Sequence, residues 1–81
     1  MNKEKILAEF ELIEKKIEEE AYEEAGTLFA AILKKFNDRI RHGLVITEKY
    51  TQDALKRKDP KALDYLQKYK DKIVELLFSN K

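Results

Sequence analysis

Apolar residues return every three or four positions from the start of the chain. Ile6, Phe10, Ile13, Ile17 and Ala21 are spaced 4, 3, 4 and 4, which is the signature of one helical face. Leu7 and Leu12 widen that stripe, and Asn2 stands where an N-cap belongs. Residues 18–26 then hold no large aliphatic side chain. A second stripe follows with Leu28, Phe29, Ile32, Leu33, Phe36 and Ile40. Two readings fit. Either one helix runs from residue 3 to 42, or a turn near 19–22 folds two helices into a hairpin. Glu and Ala favour continuity. Against this, a helix of about 40 residues would be about 60 Å long, too long for a compact body of 81 residues. The length argument favours the turn.

The second half is punctuated more clearly. Arg39, Arg41 and His42 precede Gly43. Cations suit the negative end of a helix, and Gly suits a left-handed residue just beyond it. Leu44, Val45 and Ile46 read as a packed apolar connector, and Thr47 as the N-cap of a third helix with Tyr50, Ala54 and Leu55 inward. Asp59-Pro60 is a strong start signal: Asp caps, and Pro loses nothing where its N–H has no partner. The stripe after it is Ala62, Leu66, Tyr69, Ile73 and Leu76, broadened by Leu63, Tyr65, Val74, Leu77 and Phe78. No segment alternates strictly in the manner of a strand. The expected fold is all-α, a single-domain, small antiparallel bundle of four helices at about 3–19, 22–42, 47–58 and 60–79. If residues 3–42 form one helix, the count falls to three.

Composition narrows the classes. At 81 residues, with no Cys and no Trp, neither disulfides nor thiolate zinc sites reinforce the core, so well-packed helices or self-association must do so. No apolar run reaches the length of a membrane span, and the first ten residues do not read as a signal peptide. A cytoplasmic location is therefore expected. The net charge of +1 hides an asymmetry: residues 1–40 carry ten acidic and seven basic side chains, residues 41–81 six and ten. Opposite halves attract each other within a chain or between chains.

Candidate chemistry is sparse. His42 is the only His and completes a helix end beside Gly43. Ser79, the only Ser, lies far from it in sequence, so no nucleophile–base pair is suggested. Glu11, Glu14 and Glu18 share one side of the first helix but lack the Glu-x-x-His motifs of di-iron bundles and the oxygen-rich loop of a calcium site. No catalytic residue, metal site or cofactor is expected. The basic residues Lys56, Arg57, Lys58, Lys61, Lys68 and Lys72 suggest a nucleic-acid surface. However, Asp59, Asp64 and Asp71 interrupt it, and Lys outnumbers Arg where base readout favours Arg. Tyr65 and Tyr69, one turn apart, and Phe29 and Phe36 are candidate anchors for a protein partner.

Two segments resemble known helical modules. Tyr22-Glu23-Glu24-Ala25-Gly26-Thr27-Leu28-Phe29 resembles the second helix of tetratricopeptide and microtubule-interacting-and-transport hairpins. That likeness implies that Ala25 and Phe29 pack against the preceding helix. Residues 58–77, running from Lys58-Asp59-Pro60-Lys61-Ala62-Leu63 to Lys72-Ile73-Val74-Glu75-Leu76-Leu77, with an Asp at the start, paired Leu and a Lys ahead of Ile-x-x-Leu, look like helices of flagellar export chaperones. Both resemblances imply a binding module rather than an enzyme. The expected function is a non-enzymatic interaction module acting on a protein partner, a second copy, or both. A nucleic-acid-associated regulator built on the basic residues of 56–72 is the alternative.

Overall fold

The computed structural model describes residues 2–78. Five helices follow one another: α1 (Lys3–Glu18), α2 (Tyr22–Leu33), α3 (Asp38–His42), α4 (Val45–Lys56) and α5 (Ala62–Phe78). No strand occurs among the described residues, and the all-α bundle expected from the periodicity is the fold. Helix α1 packs on α2 and α5, and α4 packs on the same two helices. The four long helices therefore form a ring in the order α1, α2, α4, α5. In that ring the α1–α2 hairpin lies opposite the α4–α5 hairpin.

Helix α1 begins as its sequence suggests, with the Asn2 side chain accepting a hydrogen bond from the Lys5 amide at 3.2 Å. It ends at the expected turn, without a glycine. Glu20 adopts φ 62°, the Glu20 amide donates to the Ile17 carbonyl at 2.9 Å, and the Ala21 amide donates to the Lys16 carbonyl at 2.8 Å. This pair of bonds is a Schellman motif, which satisfies carbonyls that the last helical turn leaves open. The α4–α5 turn repeats it. Lys58 has φ 58°, its amide donates to the Leu55 carbonyl at 3.1 Å, and the Asp59 amide donates to the Ala54 carbonyl at 2.9 Å. The Asp59 carboxylate then accepts from the Lys61 amide at 2.9 Å, and α5 begins at Ala62 rather than Pro60.

The helix expected over 22–42 is two helices. The chain leaves α2 through tight turns, Lys35 N–H to Ile32 and Phe36 N–H to Leu33, and Asn37 caps α3 by accepting from the Ile40 amide at 2.9 Å. The hydrophobic stripe continues through the break because Phe36, which lies within it, is buried. A local cap thus overrides a helical period that is interrupted by no Gly or Pro at residues 34–37. Gly43 does not take the left-handed conformation expected of it; its φ is −81°. Of the supposed connector, only Leu44 is buried, and Val45 and Ile46 open α4 exposed to solvent. Thr47 lies inside α4, where its carbonyl accepts from the Thr51 hydroxyl at 2.9 Å. Ser79, and the last residue of the expected helix over 60–79, lie outside the described residues.

The core gathers Ile6, Phe10, Ile13 and Ile17 of α1, Ala25, Phe29 and Ile32 of α2, Ala54 and Leu55 of α4, and Leu66, Tyr69 and Ile73 of α5. Its centre is aromatic. The Tyr69 ring stands 5.4 Å from Phe29 in an edge-on arrangement and 6.2 Å from Phe10, tilted by 50°. Such pairs contribute about 0.5–1.5 kcal/mol each beyond their buried area. Lys70 of α5 ties to Glu14 of α1 at 2.9 Å, and Lys35 pairs with Glu9.

Candidate functional site

Among the described residues, the one buried charge cluster lies where α3, α4 and α5 meet. Glu48 shares the inward face of α4 with Thr51 and Leu55, at helical spacings of three and four, and is only 5% exposed. A carboxylate there needs partners, since desolvating an unpaired charge is expensive. Three donors supply them. The Tyr69 hydroxyl donates to Glu48 Oε2 at 2.8 Å. Arg41 Nε and Nη2 donate to Oε2 and Oε1, each at 3.1 Å, a forked geometry that only Arg offers. Burial first, then the bond to Glu48, pushes the Tyr69 hydroxyl well above the ordinary phenol range. The hydrogen bond to Glu48 also raises the Arg41 guanidinium above its usual value.

The phenol is thus fixed as a donor and the guanidinium as a cation. Both donate to the same carboxylate, Tyr69 from within the core and Arg41 from its partly exposed margin. This cluster holds α3 to the bundle: α3 buries no residue of its own, and only Ile40 is packed partly against the core. The sequence reading missed Glu48. Its signal is a charged residue three positions before Thr51 and seven before Leu55, on a stripe otherwise taken as apolar.

The proposed anchor residues fall on both sides of the surface. Phe29, Phe36 and Tyr69 are buried in the core, so the folded monomer does not offer them to a partner. They looked like anchors because the large aromatic side chains that fill a core are the same types that anchor an interface. Tyr65 is half-buried, and its ring lies 5.9 Å from that of Tyr50, tilted by 35°. Tyr50, expected to point inward, is 56% exposed. Ile46, one turn before it, is 69% exposed, and Val45 and Leu76 are also largely in solvent. The surface that sequence reasoning did not find is therefore the outer side of α4 and α5. Val45 and Ile46 look like core residues by type; Ile46, two positions before Glu48, stands on the face opposite that buried carboxylate, and Val45 is exposed in the first turn of α4.

A second apolar spot lies on the opposite hairpin. Leu12, 45% exposed, and the partly buried Leu28 line a shallow groove with Lys16, Glu23, Glu24 and Thr27. Lys16 lies 3.0 Å from Glu24, whose hydrogen bond raises the Lys16 ammonium above its usual value.

The basic candidates are all exposed. Lys56, Arg57, Lys58 and Lys61 surround the α4–α5 turn, and Lys68 and Lys72 lie one turn apart on the outer side of α5. Arg57 reaches Asp59 at 3.5 Å. The Lys61 amide and Arg57 together hold the Asp59 carboxyl below the usual carboxylate range. His42 is exposed at the end of α3. Among the described residues, no three His, Cys, Asp or Glu side chains are grouped to hold a metal, and no helix is long and apolar enough to cross a membrane. Comparison with protein-family models, curated proteins and solved structures finds no match to this chain.

Proposed function

We propose that this chain is a non-enzymatic interaction module that binds a protein partner or a second copy of itself through exposed apolar helix faces, acting in the cytoplasm. The observation that carries this reading is the inverted pattern of α4, which buries Glu48 while turning Val45, Ile46 and Tyr50 into solvent. A buried carboxylate must be desolvated and an exposed apolar group forgoes the gain of burial, and such departures concentrate where a surface has another task. Tyr50 and Tyr65 suit that task, because each presents a rigid apolar body with a polar tip.

A photo-crosslinking side chain placed at Tyr50 in the full chain tests the proposal inside cells. The same group at Gln67, exposed on another side of α5, is the control. Protein adducts from position 50 and none from position 67 are the expected result. No adduct from either position, or equal adducts from both, overturns the reading.

A nucleic-acid-associated regulator is the second reading, favoured by the exposure of Lys56, Arg57, Lys58, Lys61, Lys68 and Lys72. Phosphate contacts are strongest at low salt. Titration with duplex DNA at low ionic strength that shows no binding removes this reading.

A further inference from the structure

Two apolar spots of opposite electrostatic character lie on opposite sides of the helix ring. On the α4–α5 side, Ile46 and Tyr50 stand one turn apart, and Tyr50 lies beside Tyr65. Helical spacing places Lys61, Lys68 and Lys72 on the same strip as Tyr65, at −4, +3 and +7. The acidic residues nearest in spacing are Asp53, three after Tyr50, and Asp64 and Glu75 at the margins of the strip. On the α1–α2 side, Leu12 and Leu28 share a shallow groove with Glu23 and Glu24. Among the described residues that line it the one cation is Lys16, already engaged by Glu24 at 3.0 Å. Glu19 and Glu20 extend the acidic rim through the adjoining turn and are exposed.

We propose that the basic, tyrosine-bearing face of α4–α5 docks on the acidic Leu12–Leu28 groove of a second copy of this chain. This rests on the interaction-module reading and names its partner. The match is one of charge as well as apolar surface: Lys61, Lys68 and Lys72 meet the Glu23 and Glu24 rim while Ile46 and Tyr50 cover Leu12 and Leu28. Opposite potentials across an interface steer association and fix its register. A second copy presenting the same face would instead bring like charges together.

The two faces are different and lie on opposite hairpins, so the contact is head-to-tail. Each added copy leaves one face of each kind open, and the assembly grows unless its rotation closes a ring. The asymmetry of charge between residues 1–40 and 41–81 thus becomes a property of the assembly.

Complementation of two single variants tests this. Ile46→Asp removes one face and Leu12→Asp the other. Both positions are exposed, so circular dichroism is expected to show both variants folded as the wild type. Light scattering of the wild type should show a mass above 9.6 kDa that grows with concentration and falls with added salt. Each variant alone should lose association. Their equimolar mixture should form a one-to-one heterodimer and stop there, because Leu12→Asp retains the basic face and Ile46→Asp retains the acidic groove.

Self-association persisting in either single variant overturns the head-to-tail arrangement. So does a mixture that remains monomeric, or a wild type that remains monomeric at millimolar concentration. In each of those outcomes the crosslinking experiment at Tyr50 still decides the interaction-module reading separately, through adducts with a different protein.

Discussion

The two hairpins of this bundle are built on different terms. In α1–α2 the residue type predicts the side. Ile6, Phe10, Ile13, Ile17, Ala25, Phe29 and Ile32 are buried, and among the large apolar residues only Leu12 is openly exposed. In α4–α5 the rule fails in both directions. Glu48, Thr51 and the hydroxyl of Tyr69 are inside, while Val45, Ile46, Tyr50 and Leu76 are outside. The first hairpin is a packing element whose stability comes from apolar burial. The second completes the same core, but part of its interior is held by directed polar bonds and part of its apolar surface is left over. The difference teaches where each kind of substitution will be felt.

The largest expected effect is in the core shared by both hairpins. Phe29→Ala removes a fully buried ring and its edge-on contact with Tyr69. It should cost about 3–5 kcal/mol, read as a fall in the denaturant midpoint. That is a large share of the stability of a domain this small. Glu48→Ala attacks the second hairpin instead. It leaves the Tyr69 hydroxyl in the core and Arg41 without their acceptor. A fully buried pair broken on one side costs about 3–5 kcal/mol. The Arg41 side chain is a third exposed, so about 2–3 kcal/mol is expected. The distinguishing readout is local: amide hydrogen exchange should accelerate in α3 at Ile40 and Arg41. Unchanged exchange there would break the view that the cluster tethers α3.

Tyr69→Phe is gentler, because the ring stays and only the bond to Glu48 is lost. About 1.5–3 kcal/mol is the usual range for a hydrogen bond to a charged group, and Arg41 still serves the carboxylate. The loss should therefore lie at the lower end. Tyr69 also carries a pH signature. Its hydroxyl titrates higher in the folded protein than the ordinary phenol value of 10.0, so above that pH the unfolded chain releases a proton that the native state retains. The stabilising contribution is complete below about pH 10 and declines as pH rises beyond it. Alkaline denaturation followed by circular dichroism should begin later and slope less in Tyr69→Phe than in the wild type, relative to each protein's stability at pH 7.

How much of this was legible in the sequence follows the same division. The α1 and α2 stripes and the caps at Asn2 and Asp59 could be read because period and cap agree there, whereas the turn after α1 followed only from the length an unbroken helix would have, against residue types that favour continuity. The break between α2 and α3 could not. Residues 34–37 contain no Gly or Pro, and the stripe runs through Phe36 to Ile40 as it would in a straight helix. What breaks it is the Asn37 cap together with the Arg41–Glu48 bond, seven residues apart in sequence, and neither follows from hydrophobic spacing. Phe29, Phe36 and Tyr69 were legible as important but not as buried, since an anchor in a core and an anchor on a surface have the same residue types. Ile46 and Tyr50 were misplaced for the converse reason: the face of α4 is set by Glu48, which a search for apolar periodicity passes over.

The turns are where the two hairpins agree, and they give the smallest and most even-handed test. Glu20 and Lys58 both occupy the left-handed residue of a Schellman motif, with φ 62° and 58°. In that conformation the Cβ of an L-residue crowds its own carbonyl, at about 1–2 kcal/mol per residue. Glycine removes the clash, although its freer unfolded chain returns part of the gain. Glu20→Gly and Lys58→Gly should therefore each raise the stability by up to about 1 kcal/mol, seen as a higher thermal midpoint. The two gains should add, since the turns belong to separate hairpins. Unequal gains would show that one turn is supported by its neighbours beyond the backbone motif. The Asp59 carboxylate is the candidate, because it already fixes the exit from Lys58 by accepting from the Lys61 amide. No side-chain cap holds the entry to α2 in the same way. A larger gain at Glu20 than at Lys58 would then trace to that missing cap, and equal gains would show that the backbone motif alone sets both turns.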